Sequence, residues 1–194
     1  DASITLAGEP VAHDLWTAKK RARILRSRVE ITEALDGLIR RLETKPDCLI
    51  NGSAIGWYGL RGDEKLSEDA DAKPAFVHDV CYAWEQAAND IARHGVRVVR
   101  LRIGLVLGVS GGMLAKLLTP FEFGGGGKIG DGQQWMSWIE QDDMIRVIAY
   151  VIAHHDIDGP VNATAQNPVR NASYTKALAA ALRRPLLFRY PAQV

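Results

Sequence analysis

The stretch from Cys48 to Gly59, CLINGSAIGWYG, constrains the fold of this chain most strongly. It follows the breaker Lys45-Pro46-Asp47 and opens on a short apolar run, which is typical of a strand covered on both faces. A glycine-rich turn comes next. Ligands of open α/β sheets bind beyond the carboxyl ends of such strands. Ser53 stands at that end, where its hydroxyl can donate to a substrate oxygen. The alternative is that Ser53 bonds only within its own turn.

The segments around this stretch alternate between strand and helix patterns. In chain order they are a strand at Ala2–Leu6, one long amphipathic helix or two joined over Thr17–Leu42, the Cys48 strand, a helix over Val77–Ile91 closed by Gly95, and a strand region from Val96 to Gly108. Such an order implies right-handed crossovers and a parallel sheet. The charged segment Arg61–Lys73 reads as a surface loop that could form a lid.

The second half of the chain predicts shorter elements. They are a helix at Met113–Phe121, a loop at Gly124–Gly132, a short strand at Trp135–Ile139, a helix with Asp142 as its N-cap, a strand at Val161–Thr164 and a helix at Ser173–Leu182.

Composition excludes several classes of protein. Of the 194 residues, 47% are hydrophobic, and 24 Lys and Arg balance 23 Asp and Glu. We therefore expect a globular protein without a field that attracts nucleic acid. No apolar span approaches twenty residues, so a membrane partner is not expected either. Cys48 and Cys81 lie in apolar patterns without metal-ligand spacing, which predicts reduced core thiols, no metal and a cytoplasmic location.

Three further motifs suggest sites but have simpler explanations. Gly125–Gly130 matches G-x-G-x-x-G, yet a helix precedes it and no helix follows, so it lacks the context of a dinucleotide site. His154-His155 are adjacent and point apart on a helix, where they more simply complement the helix C-terminus. Asp142-Asp143 could be paired acid and base carboxylates, but capping is the simpler role.

Taken together, these pieces resemble the later part of an extended short-chain dehydrogenase/reductase of the epimerase-family subgroup. The resemblance covers nearly the whole chain and rests on matches in the expected order: Leu6–Pro10, Ser27-Arg28 with Thr32, Asn51–Ala54 with Trp57-Tyr58-Gly59, Trp84-Glu85, Arg102–Gly108, Trp138-Ile139 with Asp142–Met144, and Gly159–Thr164.

The resemblance implies an α/β fold with an incomplete Rossmann-type parallel sheet. Residues 1–108 would form a partial NAD(P)-binding domain, and residues 109–194 a mixed segment that includes a small α+β substrate lobe. The implied cofactor is NADP or NAD, with a small molecule as substrate. Ser53 would hydrogen-bond the reacting carbonyl or alcohol. The implied cofactor-binding residues are Leu6, Ala7 and Gly8 along the dinucleotide, Arg28 at its phosphates or ribose, and Ile103, Gly104 and Val106 at the nicotinamide.

One departure from the family affects the chemistry. Its enzymes carry a Tyr and a Lys four residues apart on the helix after the Ser strand, the Tyr as general acid/base. Here those positions fall on Val77 and Cys81, and no tyrosine in the chain is followed by Lys at that offset. We expect His78 to substitute, ahead of Tyr58 and Tyr82, because one residue of slip brings it to the vacant place. The alternative is a partly exposed helix histidine without a catalytic role.

A second departure concerns the other half of the nucleotide-binding fold. The glycine-rich first turn and the first three strands do not occur in this sequence, so Ala2–Leu6 becomes an edge that invites association. We expect a longer polypeptide, or a homo-oligomer that covers this edge. Two functions follow: an NAD(P)-linked oxidoreductase or epimerase-like protein, or a non-catalytic module that senses a nucleotide or binds other proteins.

Overall fold

The computed structural model describes residues 1–11 and 16–191. The strands are β1 Ala2–Thr5, β2 Cys48–Ala54, β3 Arg97–Ile103, β4 Leu105–Gly108, β5 Gly127–Ile129, β6 Trp135–Met136, β7 Trp138–Glu140, β8 Gly159–Ala163, β9 Val169–Arg170 and β10 Phe188–Tyr190. The helices are α1 Ala18–Ile39, α2 Phe76–Ala92, α3 Gly112–Glu122, α4 Gln141–Ala153 and α5 Asn171–Ala181.

The main sheet has the strand order β1-β2-β3-β8. Within it, β1 pairs with β2 and β2 pairs with β3, and both pairings are parallel. The predicted α/β class and parallel sheet are therefore confirmed. β2 lies in the interior of this sheet and its first six residues are buried, because neighbours on both sides satisfy its backbone and helices cover its side chains.

Helices α1 and α2 pack together against the sheet. The segment predicted as one helix or two is a single helix, whose first turn is capped by the Thr17 hydroxyl accepting from the amide of Lys20 at 3.2 Å. A core cluster joins Ile39 of α1 and Leu49 of β2 to Ala88 and Ile91 of α2, Val98 of β3, and Val96 just before β3.

The chain divides into two compact units. The first comprises residues 1–61, 65–103 and 147–162, and the second comprises residues 62–64, 104–146 and 163–194. The first unit thus contains β1, β2, β3 and both long helices. The second contains α3, α5 and the short strands, which form three two-stranded ladders: β4 with β7, β5 with β10, and β6 with β9.

Three predictions for the second half need correction. Gly127–Ile129, expected within a loop, is β5 and pairs with β10. The single strand expected at Trp135–Ile139 is two strands with different partners. Helix α4 starts at Gln141, and the Glu140 carboxylate, rather than Asp142, caps it by accepting from the amides of Asp142 and Asp143 at 2.7 and 3.2 Å.

Candidate functional site

The carboxyl end of β2 brings the predicted site residues of the first unit together. Ala54, which follows Ser53, stands opposite Ile103 of β3, and Asn51 stands opposite Thr5 of β1. Beyond Thr5 the segment Leu6, Ala7 and Gly8 is exposed. Parallel strands end at the same edge of a sheet, so this edge carries the candidate site.

Ser53 is 3% exposed and its hydroxyl has a definite partner. The Ser53 Oγ lies 2.6 Å from Oε1 of Glu85 on α2. An ionised carboxylate only accepts hydrogen bonds, so the hydroxyl donates to Glu85. The sequence had left open a hydroxyl that donates to a substrate or bonds within its own turn; in the structure its proton points to a different element.

Glu85 is in turn held by a buried arginine. Arg102 of β3 donates from Nε to Oε1 at 3.0 Å and from Nη2 to Oε2 at 3.2 Å, while the two residues are only 3% and 1% exposed. Burial alone would lower the pKa of Arg102, but hydrogen bonds to Glu85 and Tyr58 raise it above the ordinary value. Removing one partner of such a buried pair typically costs about 3–5 kcal/mol.

The network continues towards β8. Arg102 Nη1 donates to the Tyr58 hydroxyl at 3.2 Å and to the carbonyl of Glu68 at 2.9 Å. The Tyr58 hydroxyl donates to Oδ1 of Asn162 at 2.6 Å. We call Ser53, Glu85, Arg102, Tyr58 and Asn162 the polar network; the first four are buried and Asn162 is half-buried. Because each member orients the next, it fixes the geometry of the turn after β2.

Sequence reasoning assigned no role to Glu85 or Arg102. A signal was present, since Glu85 follows the apolar positions Cys81 and Trp84 and precedes Ala88, all of which are buried. A charged residue on the buried side of a helix requires a partner of opposite charge. Which of the many arginines provides it depends on a contact between residues 17 positions apart.

Val77 and Cys81 line the turn that follows Ser53. A Cβ built on Gly56 would lie 3.2 Å from Cβ of Val77 and 3.7 Å from Sγ of Cys81. The Cys81 thiol approaches the carbonyl of Ala54 at 3.7 Å, and burial raises its pKa. The side chains at the positions of the family's Tyr and Lys thus stand against the turn, but neither supplies a cation or a phenol.

His78 has a fixed tautomer. Its Nδ1 lies 2.6 Å from the carbonyl oxygen of Trp57, and since a carbonyl only accepts, Nδ1 carries the proton. Within the described residues, Nε2 has no hydrogen-bond partner. The half-buried ring packs against Trp57 and Tyr82, with centroids 5.1 and 5.9 Å away. A neutral His78 therefore presents an unprotonated Nε2, which is the state of a general base.

Arg28 stands beside Gly8 at the end of β1. A Cβ on Gly8 would lie 2.9 Å from the guanidinium carbon of Arg28, so a larger residue there would displace the guanidinium. Arg28 Nη1 donates to the carbonyls of Glu9 and Ile24 at 3.1 and 3.0 Å. Among the described residues Nε and Nη2 have no partner, which leaves three N–H donors. These donors beside an exposed backbone segment fit the phosphate or ribose oxygens of a dinucleotide.

Gly104 and Val106 belong to the second unit. Gly104 interrupts the strand region between β3 and β4, where an added Cβ would lie 2.5 Å from the carbonyl oxygen of Ser137. Val106 pairs with Ile139 of β7. Their predicted contact with nicotinamide remains a prediction.

Other candidate features lie away from the Ser53 turn. A cavity of about 600 Å³ in the first unit is lined by charged, polar and apolar residues and contains no predicted site residue; its charged and polar lining includes Glu68, Asp69, Asn89, Arg100 and Asp158. Within residues 1–11 and 16–191, no group of three His, Cys, Asp or Glu is arranged to hold a metal. None of the described helices is long and apolar enough to cross a membrane.

Comparison with known proteins relates this arrangement to one family. Residues 1–163 match the NAD dependent epimerase/dehydratase family. An epimerase family protein of Mycobacterium bovis, Mb2239, is 36% identical over 191 residues, which cover 98% of this chain and 63% of that protein. YfhF of Bacillus subtilis is 37% identical and is covered to 61%. The chain thus spans less than two thirds of the length of these relatives.

Solved structures give the same result. The human epimerase family protein SDR39U1, crystallised with NADPH, is 28% identical and superposes with a TM-score of 0.91 over 98% of this chain and 65% of that one. A nucleoside-diphosphate sugar epimerase of Corynebacterium glutamicum is 38% identical, with a TM-score of 0.80 over 98% of this chain and 41% of that one. This similarity confirms the Rossmann-type fold.

Proposed function

The chain belongs to the NAD dependent epimerase/dehydratase family, and from this premise we propose that it acts as an NAD(P)-linked oxidoreductase or epimerase-like protein. Its substrate would be a small carbonyl compound or sugar nucleotide. The observation that carries the proposal is His78, whose open Nε2 lies on the first turns of α2 beside the turn that follows Ser53. The bound nicotinamide would supply or accept the hydride.

Each site residue has a role in this proposal. His78 Nε2 takes the proton of a substrate hydroxyl, or returns it, in place of the missing tyrosine. Ser53 orients the same substrate oxygen. Leu6, Ala7 and Gly8 leave room for the dinucleotide, Arg28 donates to its phosphate or ribose oxygens, and Ile103 borders the nicotinamide.

The comparisons support this assignment at the level of class. The human relative binds NADPH, and the bacterial relative at 38% identity is described as a nucleoside-diphosphate sugar epimerase. Both match nearly the whole of this chain. We extend NADP or NAD binding to it on that basis, and we place its activity in the cytoplasm because Cys48 and Cys81 are free and buried.

The test is hydride transfer by the full-length protein that contains this chain, followed at the nicotinamide absorbance with sugar nucleotides and small ketones. His78→Gln should lower the rate by roughly 10²–10⁴-fold, the usual contribution of a positioned acid/base, and Ser53→Ala should lower it as well. The matched control is His94→Gln, which alters a histidine just past α2 that pairs with Asp36 at 2.8 Å. Turnover that is equal in wild type and His78→Gln would contradict the proposal.

A second function is favoured by one observation. Val77 and Cys81 occupy the positions of the Tyr and Lys and cannot move a proton as that pair does. A non-catalytic module that senses a nucleotide or binds other proteins would retain the fold without them. Tight NADPH binding with no hydride transfer to any member of the substrate panel would favour this function over the enzyme.

A further inference from the structure

We propose that Glu85 is a positioning residue that makes Ser53 a hydrogen-bond acceptor towards the ligand, so that the site selects a reacting hydroxyl over a carbonyl. This inference rests on the proposed function, because it names the oxidation state of the group bound beside Ser53. It depends on the hydrogen-bond geometry around one side chain.

A serine hydroxyl has one proton and two lone pairs. The proton of Ser53 is directed to Glu85 at 2.6 Å. Glu85 accepts this proton at the oxygen that also accepts from Nε of Arg102, and its other oxygen accepts from Nη2 of the same arginine. The nearby Cys81 thiol donates to the carbonyl of Ala54, and the same thiol also lies beside the Ser53 side chain. What Ser53 can offer a ligand is therefore its lone pairs.

The partner of Ser53 also makes its orientation hard to reverse. A hydroxyl bonded to a carboxylate makes a charge-assisted hydrogen bond, roughly twice as strong as one between neutral groups. Glu85 itself cannot turn away, since Arg102 holds both of its oxygens and is anchored to Tyr58 and the carbonyl of Glu68. A ligand carbonyl would face lone pairs on Ser53 and on Nε2 of His78, whereas a ligand hydroxyl would share its one proton between these two acceptors before His78 takes it.

The first measurement compares two ligands of equal size that differ at one carbon, UDP-glucose and its 4-keto counterpart. Their dissociation constants are measured by calorimetry on the cofactor-free full-length protein. We expect the hydroxyl form to bind about tenfold tighter or more, since one unpaired buried acceptor is enough for that ratio. Equal affinity, or tighter binding of the keto form, would overturn the inference.

The informative variant removes the acceptor without leaving a buried charge. Glu85→Gln alone leaves the buried charge of Arg102 without its partner, which can prevent folding. The paired change Glu85→Leu with Arg102→Met replaces the ion pair by apolar side chains. It frees the Ser53 proton, so the keto form should gain affinity relative to the hydroxyl form. A purely structural role would weaken both ligands alike. The control removes another pair of the first unit, Asp36→Asn with His94→Gln, and should leave the ratio unchanged.

A second readout does not depend on the ligand. In proton NMR of the full-length protein, the Ser53 hydroxyl should give a slowly exchanging downfield resonance that Ser53→Ala removes and the Glu85→Leu, Arg102→Met pair shifts upfield. A resonance that exchanges fast, or that the paired change leaves in place, would overturn the inference. If the resonance behaves as expected and neither sugar nucleotide binds, the proposed substrate class fails while the role of Glu85 stands.

Discussion

Arg28 illustrates how much of the site depends on single side chains. Two of its five N–H donors hold the carbonyls of Glu9 and Ile24, which fixes the guanidinium beside Gly8 and leaves the others for a ligand. Burial lowers the pKa of Arg28 below its ordinary value. The planar fork matters as well as the charge, since a lysine there would reach with one point charge only.

Arg28→Lys should therefore weaken NADPH binding by the full-length protein about tenfold, the value of one charge-assisted hydrogen bond. Titration with NADPH, followed by the nicotinamide fluorescence, measures the dissociation constant. The matched control is Arg26→Lys, an exposed arginine on the same helix, which should leave the dissociation constant unchanged. Equal effects of the two substitutions would show that Arg28 contributes only charge.

Glu9 gives a prediction of pH dependence. Hydrogen bonds from Arg23 and then Lys20 lower the pKa of its carboxyl from 4.5 to about 2. Because the folded-state pKa lies below the ordinary value, the stabilisation is complete above pH 4.5 and is lost as the pH falls through 2. The carboxyl carbon resonance of Glu9 should titrate near 2 in the wild type and shift towards 4.5 in Arg23→Ala. A wild-type midpoint already near 4.5 would contradict the role of these two partners.

At the scale of elements, local patterns predicted what local forces decide. The two long helices and the buried strand that begins at Cys48 follow from apolar spacing and breakers, and all three are confirmed, although the strand continues to Ala54 through residues expected in a turn. The strand Gly127–Ile129 does not follow, because its partner begins about sixty residues later at Phe188. An added Cβ on Gly127 would lie 2.6 Å from the Phe188 carbonyl oxygen. Such a close approach between distant segments cannot be predicted from local sequence patterns.

The cap of α4 shows why element boundaries are difficult to predict. Aspartate is a favoured N-cap and glutamate is not, so residue preference alone predicted Asp142 as the cap. Glu140, however, is held in register opposite Leu107 as the last residue of β7, and this pairing starts the helix at the next residue. The tertiary contact therefore outweighs the local preference.

The two carboxylates can be separated by mutation. Glu140→Ala should cost about 0.5–2 kcal/mol, because it leaves two helical amides without their acceptor. Asp142→Ala should cost less, about 0.3–1 kcal/mol, because Asp142 contributes only its charge near the helix N-terminus. Urea denaturation of the two variants gives the comparison. If Asp142→Ala lowered the free energy of unfolding more than Glu140→Ala did, Asp142 would be the N-cap, as the sequence predicted.

At the scale of the whole molecule, the arrangement of the site depends on a few long-range contacts. Sequence placed Ser53 in a glycine-rich turn just beyond the apolar run Cys48–Ile50, whereas the structure extends β2 to Ala54 and places Ser53 within its last residues. The same sequence could not show that its proton goes to Glu85, 32 residues away, or that His78 is oriented by the carbonyl of Trp57. Hydrogen-bond direction depends on which groups the fold brings together, and spacing does not encode it.

The outer strand of the main sheet leads to the last prediction. Within the described residues β1 is the outermost strand, next to β2, and Ile4 on it is 48% exposed. An apolar edge strand with free backbone groups favours pairing with another chain. We therefore propose that the 194-residue chain associates through Ala2–Leu6. Ile4→Lys should shift it towards monomer, because a charged residue on an edge opposes strand pairing.

Sedimentation at several concentrations measures this shift. The control is Val109→Lys, which places the same charge at a position that is 76% exposed and outside every described strand. Both substitutions should change the free energy of unfolding by no more than about 0.5 kcal/mol, as expected for surface positions. If Val109→Lys dissociated the assembly while Ile4→Lys left it intact, the contact would lie on another surface, and the edge strand would have no part in association.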